Sequence, residues 1–231
     1  MEIQFTTDDS VAAEFFPPVP ASKALPEWYK DTPRYIYPRE TTSLLMAEHG
    51  NRIPQTIKAC LPVQDYLTSG YIIRNCSDIA ITPSSHDDFV TWGWSSSMAL
   101  CESHDHVQCP VKIKKEKHHY IKVKNVWVIK TPPGYSCYIY QPELFFNGNI
   151  RFFPGVVDTD TYPDPLNFPG FLTTKESFVI KAGDPLMVVF PFKRENWTHT
   201  AQYLAETKTA LIARLFERGY QKFFHKQKKY Q

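Results

Sequence analysis

ESFVIKAGDPLMVVFPF, residues 176–192, holds two β-prone runs, ESFVIKAGD and PLMVVFPF, that meet at a Gly-Asp-Pro junction. Branched and aromatic residues dominate both, as in short strands joined by a tight turn. The same texture extends upstream through YSCYIY (135–140) and NIRFFPGVV (149–157). Further back come TIKACLPV (56–63), SGYIIRN (69–75), DIAITPSS (78–85) and DDFVTWGW (87–94), each bounded by turn residues. VKIKKEKHHYIKVKNVWVIK (111–130) alternates apolar and basic positions, the period of a strand or hairpin with one wet face. About ten strands follow from this reading, and no intervening helical pattern is long enough for parallel βαβ units. The prediction is a mainly β chain, an antiparallel barrel or jelly roll.

The chain has 231 residues, of which 42% are hydrophobic and 15% aromatic, enough for a sizeable core. Nineteen prolines against nine glycines imply stiff, irregular connections. A net charge of +2, from 26 basic and 24 acidic residues, gives no global attraction for nucleic acid or an anionic membrane. The five cysteines are odd in number and lack a CxxC pair, which suits free thiols in a reducing compartment. No export leader or membrane-spanning run is expected.

From Phe15 to Pro38 prolines recur too often for a helix beyond one turn at Glu27 to Lys30, so residues 1–55 are expected to carry a proline-rich aromatic arm of the barrel domain, 1–195. Residues 196–231 differ in kind. Leu204, Leu211, Ile212, Leu215, Phe216 and Phe223 recur at three- and four-residue spacing behind Asn196 as cap, predicting one long amphipathic helix with a basic tail. Its apolar stripe is the expected partner-docking surface, and Lys222, His225, Lys226, Lys228 and Lys229 suit the negative end of the helix dipole.

Five blocks resemble the signatures of an uncharacterised protein family of contractile-tailed marine and cyanobacterial phages: VPASKALPEWYK (19–30), TIKACLPVQDYLTSGYII (56–73), VWVIKTPPGYSC (126–137), GVVDTDTYPDPLNFPGFL (155–172) and GDPLMVVFPFKRENW (183–197). That resemblance implies a phage protein acting in the host cytoplasm or the virion, with no activity to transfer. PPGYSCYIY, GVVDTD and KAGDPLMVVF also stand in the order of blocks in trimeric dUTPases and dCTP deaminases. By that likeness Asp158 would orient an attacking water and Tyr162 would stack on a deoxyribose. The phosphate-binding positions depart from the pattern. Gln141, Pro142, Glu143 and Leu144 replace the arginine and serines, Pro163 and Asp164 replace an arginine and glycine, and the glycine-rich closing motif has no counterpart. Phosphoryl chemistry needs positive groups around the phosphates, so the resemblance implies the fold without the catalysis.

Cys101, His104, His106 and Cys109 bring soft donors into nine residues, a composition zinc favours, although one short loop places four donors tetrahedrally with difficulty and a polar hairpin tip is the simpler reading. His86 and Asp88, with His199 downstream, have the composition of an iron triad. Asp158, Asp160 and Asp164 suit an oxygen-ligated cation or an aspartate-rich turn, and the flanking prolines favour the turn. Lys112 to Lys124 reads as a solvated strand face guarding an edge. No cofactor is expected. Two functions emerge: a non-enzymatic virion or assembly component working through contacts with other subunits, in a homo-oligomer or a symmetric virion assembly, or a nucleotide- or metal-dependent enzyme on the same barrel.

Overall fold

The computed structural model describes residues 1–36, 54–85, 90–94, 100–104, 107–108, 119–145, 148–203 and 225–231. The chain forms two compact units, one of residues 1–24 with 70–194, the other of residues 25–69 with 195–231.

Among the described residues, the paired strands belong to the first unit: β1 (Gln4–Thr6), β2 (Val19–Pro20), β3 (Tyr71–Arg74), β4 (Ile79–Pro83), β5 (Val90–Trp94), β6 (Cys101–His104), β7 (Tyr120–Lys124), β8 (Val128–Lys130), β9 (Tyr135–Tyr140), β10 (Ile150–Phe152), β11 (Gly155–Val157), β12 (Asn167–Leu172), β13 (Phe178–Ile180) and β14 (Pro185–Lys193). They pair antiparallel throughout. Among the described residues the sheets run β11-β9-β14-β3-β2, β10-β12-β7-β6, β13-β4-β5 and β1-β8. The predicted class, mainly β and antiparallel, holds.

One core draws on all four sheets. Ile73, Ile79, Ile121, Val123, Ile129, Ile139, Ile150, Phe168 and Val189 are buried in it. Alternation explains the selection: β4 reads buried-exposed-buried along its length, and Ile79 and Ile81 carry the buried face. Leu186 to Val189 are buried on both faces of β14 because Val188 packs outward against Ala21 and Ile72. A buried asparagine ties two turns together. Asn75 Nδ2 donates to the carbonyls of Ser77, Ile180 and Lys181, and its backbone exchanges hydrogen bonds with Gly183 and Asp184.

Helices are short. α1 (Ser10–Phe15) starts at Asp9, whose side chain accepts from Ala12 N at 2.9 Å. α2 (Glu27–Asp31) fills the one helical turn that the prolines permit. TIKACLPV corrects the strand expectation, since Ile57–Ala59 is a 3-10 turn and α3 (Leu61–Thr68) follows it. Pro62 sits in the first turn of α3, where a fixed φ suits a helix and the missing N–H has no partner to lose.

In the second unit, Ile36 N and Thr56 N bond the carbonyls of Pro54 and Arg34, and Lys58 Nζ reaches Lys30 O at 2.7 Å above the Tyr29 ring. The residues expected to form the docking stripe, Leu204, Leu211, Ile212, Leu215, Phe216 and Phe223, lie outside the described residues, and the flanking residues 194–203 and 225–231 carry no helix. His199, His225 and the lysines from 226 onward, expected in the helix, are thus not helical.

Candidate functional site

Three chain segments meet where the β11-β9-β14 pairing ends. Register sets Val157 opposite Cys137 and Lys193 opposite Tyr135, so the residues just beyond the strands share one place. Pro132, Pro133 and Gly134 turn the chain into β9, with Gly134 at φ +85°, a conformation that only a residue without a Cβ adopts freely. Past β11 the chain folds on itself, and Asp158 O accepts from Thr161 N and Tyr162 N at 3.0 and 2.9 Å. Past β14, Arg194 N bonds Gly134 O at 2.9 Å.

Arg194 joins these segments. Its Nη1 lies 2.9 Å from Asp160 Oδ1, 2.9 Å from Ser136 Oγ and 3.1 Å from Asp158 Oδ1, while Nη2 bonds Asp160 Oδ2. Ser136 Oγ donates to Asp158 Oδ1 at 2.6 Å, and Gly134 N donates to Asp160 Oδ2 at 2.8 Å. The fork-to-fork pairing of guanidinium and carboxylate is the strong form of this interaction. It holds the Asp160 carboxyl down at about 2, chiefly through the Arg194 hydrogen bonds and then through Gly134 N–H. The Asp160 side chain is 7% exposed and that of Asp158 61%.

Below this group, Thr131 and Thr159 hydroxyls stand 2.7 Å apart, and Thr159 Oγ1 donates to Cys137 Sγ at 3.3 Å. Burial pushes the Cys137 thiol up to about 11, so it remains protonated and is a poor nucleophile near neutrality.

The arrangement fastens a turn. Asp158 Oδ1 already serves Ser136 and Arg194, and the guanidinium is already shared between two carboxylates. Tyr162 closes the turn, its carbonyl accepting from Lys130 Nζ at 2.8 Å and its side chain partly exposed. The sequence singled out Asp158, Asp160 and Tyr162, and the fold does gather them. It missed Arg194, Ser136 and Gly134, which long-range register alone brings to the site.

The other candidates are dispersed. Cys101 lies in β6, buried, with its thiol pushed up to about 12 by burial. His104 is three residues on, and consecutive strand side chains alternate, so the two point to opposite faces instead of toward one metal. This corrects the hairpin-tip reading for Cys101. His104 Nδ1 pairs with Gln108 Oε1 at 3.1 Å, and His106 and Cys109 lie outside the described residues, as do His86 and Asp88. Among the described residues no three His, Cys, Asp or Glu side chains group as metal ligands. Lys122 and Lys124 do not guard an edge either: β7 is interior, between β12 and β6, and both lysines ion-pair with Glu102 across the strands. The two lysine hydrogen bonds pull the Glu102 carboxyl down to about 2. No described helix is long and apolar enough to cross a membrane.

No family model and no curated protein matches the sequence. Among solved structures, the fold is similar to EIAV dUTPase, at 9% identity over 60% of this chain and 87% of that chain with a TM-score of 0.35. A mutant dUTPase from phage phi11 of S. aureus aligns over 90% of this chain and 99% of that one, at 9% identity and a TM-score of 0.38. A mutant dUTPase of the 80alpha phage aligns over 61% and 78%, at 12% identity and a TM-score of 0.34.

Proposed function

We propose that this chain is a non-catalytic phage protein, a structural or assembly component that works through contacts with other protein subunits. The observation that carries the reading is the consumption of the candidate catalytic group by the fold itself. Asp158 and Asp160 are engaged by Arg194, Ser136 and Gly134 N–H, and the guanidinium that could have met a phosphate is neutralised by them. Catalysis would need such donors aimed at a reacting centre.

Exposed apolar side chains support contact with other subunits. Residues 195–203 are exposed and without regular structure, and within them Trp197 and Tyr203 are 85% and 92% exposed. Large aromatics at that exposure are enriched where a partner covers them. On the five-stranded sheet, Val156 of edge strand β11 sits directly opposite Tyr138 of β9, both exposed. Near-neutral charge over the chain favours neither nucleic acid nor an anionic surface.

Mass spectrometry of purified particles tests the proposal. Recovery of the chain in stoichiometric amount with the particle or an assembly intermediate is the expected result; its absence from both, with abundant chain free in the lysate, would sink the reading.

A further inference from the structure

Beyond Lys193, the last residue of β14, the chain forms no regular element through Tyr203, and residues 195–203 are exposed one and all. With Lys193 and Arg194 they make the longest unbroken run of exposed residues among the described ones. The run starts from a fixed point. Arg194 N bonds Gly134 O, its guanidinium holds Asp160, and the first unit ends at Arg194. A break in the chain beyond Arg194 therefore leaves every described strand pairing of that unit in place. Six aromatic side chains are exposed among the described residues: Phe15, Tyr35, Tyr138, Tyr162, Trp197 and Tyr203. Four of them are guarded. Phe15 ends α1, Tyr35 bridges to Gln55, Tyr138 lies in β9 between β11 and β14, and Tyr162 precedes Pro163 in a turn closed on Asp158 O. Trp197 and Tyr203 lie outside every described helix and strand, and Thr198 and Leu204 follow them, not proline.

We propose that residues 195–203 are a processing site for an endopeptidase whose primary pocket takes an aromatic ring, cut after Trp197 or Tyr203. Nicking needs backbone that can enter the enzyme's cleft, so it concentrates on exposed segments with no ladder to break. A bond held in a helix, strand or closed turn must open first, and its cleavage slows with the small population of the open state. The reaction is hydrolysis. Water adds across the Trp197–Thr198 or Tyr203–Leu204 amide, leaving a carboxylate on the aromatic residue and an amine on the residue after it. Either cut severs Leu204, Leu211, Ile212, Leu215, Phe216 and Phe223, the docking stripe expected from the sequence, from the β unit. That consequence rests on the docking function proposed above; the site itself rests on exposure, the absence of regular structure and the two aromatic residues.

Limited digestion of the full native chain with chymotrypsin, read by intact mass spectrometry, tests the site. The bonds after Trp197 and Tyr203 should be cut about tenfold or more faster than those after Phe15, Tyr35, Tyr138 and Tyr162. Thr198→Pro combined with Leu204→Pro keeps both rings and places proline after each, and it should abolish the two cuts while the other sites keep their rates. Cleavage after any of the four guarded residues at a comparable rate would overturn the proposal, as would survival of both bonds in the native chain under conditions that cut them in the denatured one. Recovery of the chain with particles tests docking separately: a chain absent from particles but cut first at these bonds loses the docking function and keeps the site.

Discussion

Arg194 illustrates what a single residue does when three strand ends converge on it. Its guanidinium keeps Asp158 and Asp160, two like charges two positions apart, in the same turn. Arg194→Met should therefore destabilise the first unit at neutral pH and change its response to acid. The sign follows from the depressed carboxyl of Asp160: its contribution is complete above the unfolded aspartate value near 3.9 and disappears as pH falls toward about 2. Glu102, held at about 2 by Lys122 and Lys124, acts the same way from near 4.3 downward. Denaturant titrations at several pH values should show the unsubstituted chain losing stability across that interval. Arg194→Met should start lower and lose less, because the larger part of the Asp160 contribution is gone; an unchanged slope would contradict the assignment of the clamp.

At the scale of elements, β12 is held between β10 and β7, and its Gly170 pairs with Phe152 of β10. A Cβ built there would lie 2.5 Å from Arg151 O and 3.0 Å from Phe152 Cα, both backbone atoms that cannot swing away. Gly170→Ala should cost about 1–3 kcal/mol, the usual penalty of overfilling a packed site, measured by chemical denaturation. Strands with branched, alternating residues were legible in the sequence: β3, β4, β9, β13 and β14 all fall where the pattern puts them. β12 was not, because Pro169 and Gly170 give it the composition of a turn while its pairing comes from distant strands. Nor was α3, since the β-branched Ile57 and Val63 favour a strand locally and only Pro62, with the Val63-to-Leu67 spacing, marks a helix start. α1 had a readable signal in Asp9 followed by Ser-Val-Ala-Ala-Glu, an N-cap before good helix formers. The site divides likewise: Asp158 stands out in its motif, but Ser136 and Arg194 are 22 and 36 residues from it, and sequence order does not convey the register that closes those distances.

At the scale of the whole molecule, the fold invests its polar groups in closing itself and leaves apolar ones outside. Asn75, Arg194 and Glu102 each satisfy partners within the β unit, while Trp197, Tyr203, Val156 and Tyr138 remain at the surface. That division is the physical content of the docking account. Isothermal titration calorimetry of the full chain with deoxynucleoside triphosphates and Mg²⁺ tests it most directly. The account predicts no saturable heat with either the unsubstituted chain or Asp158→Ala; micromolar binding that Asp158→Ala abolishes would contradict it.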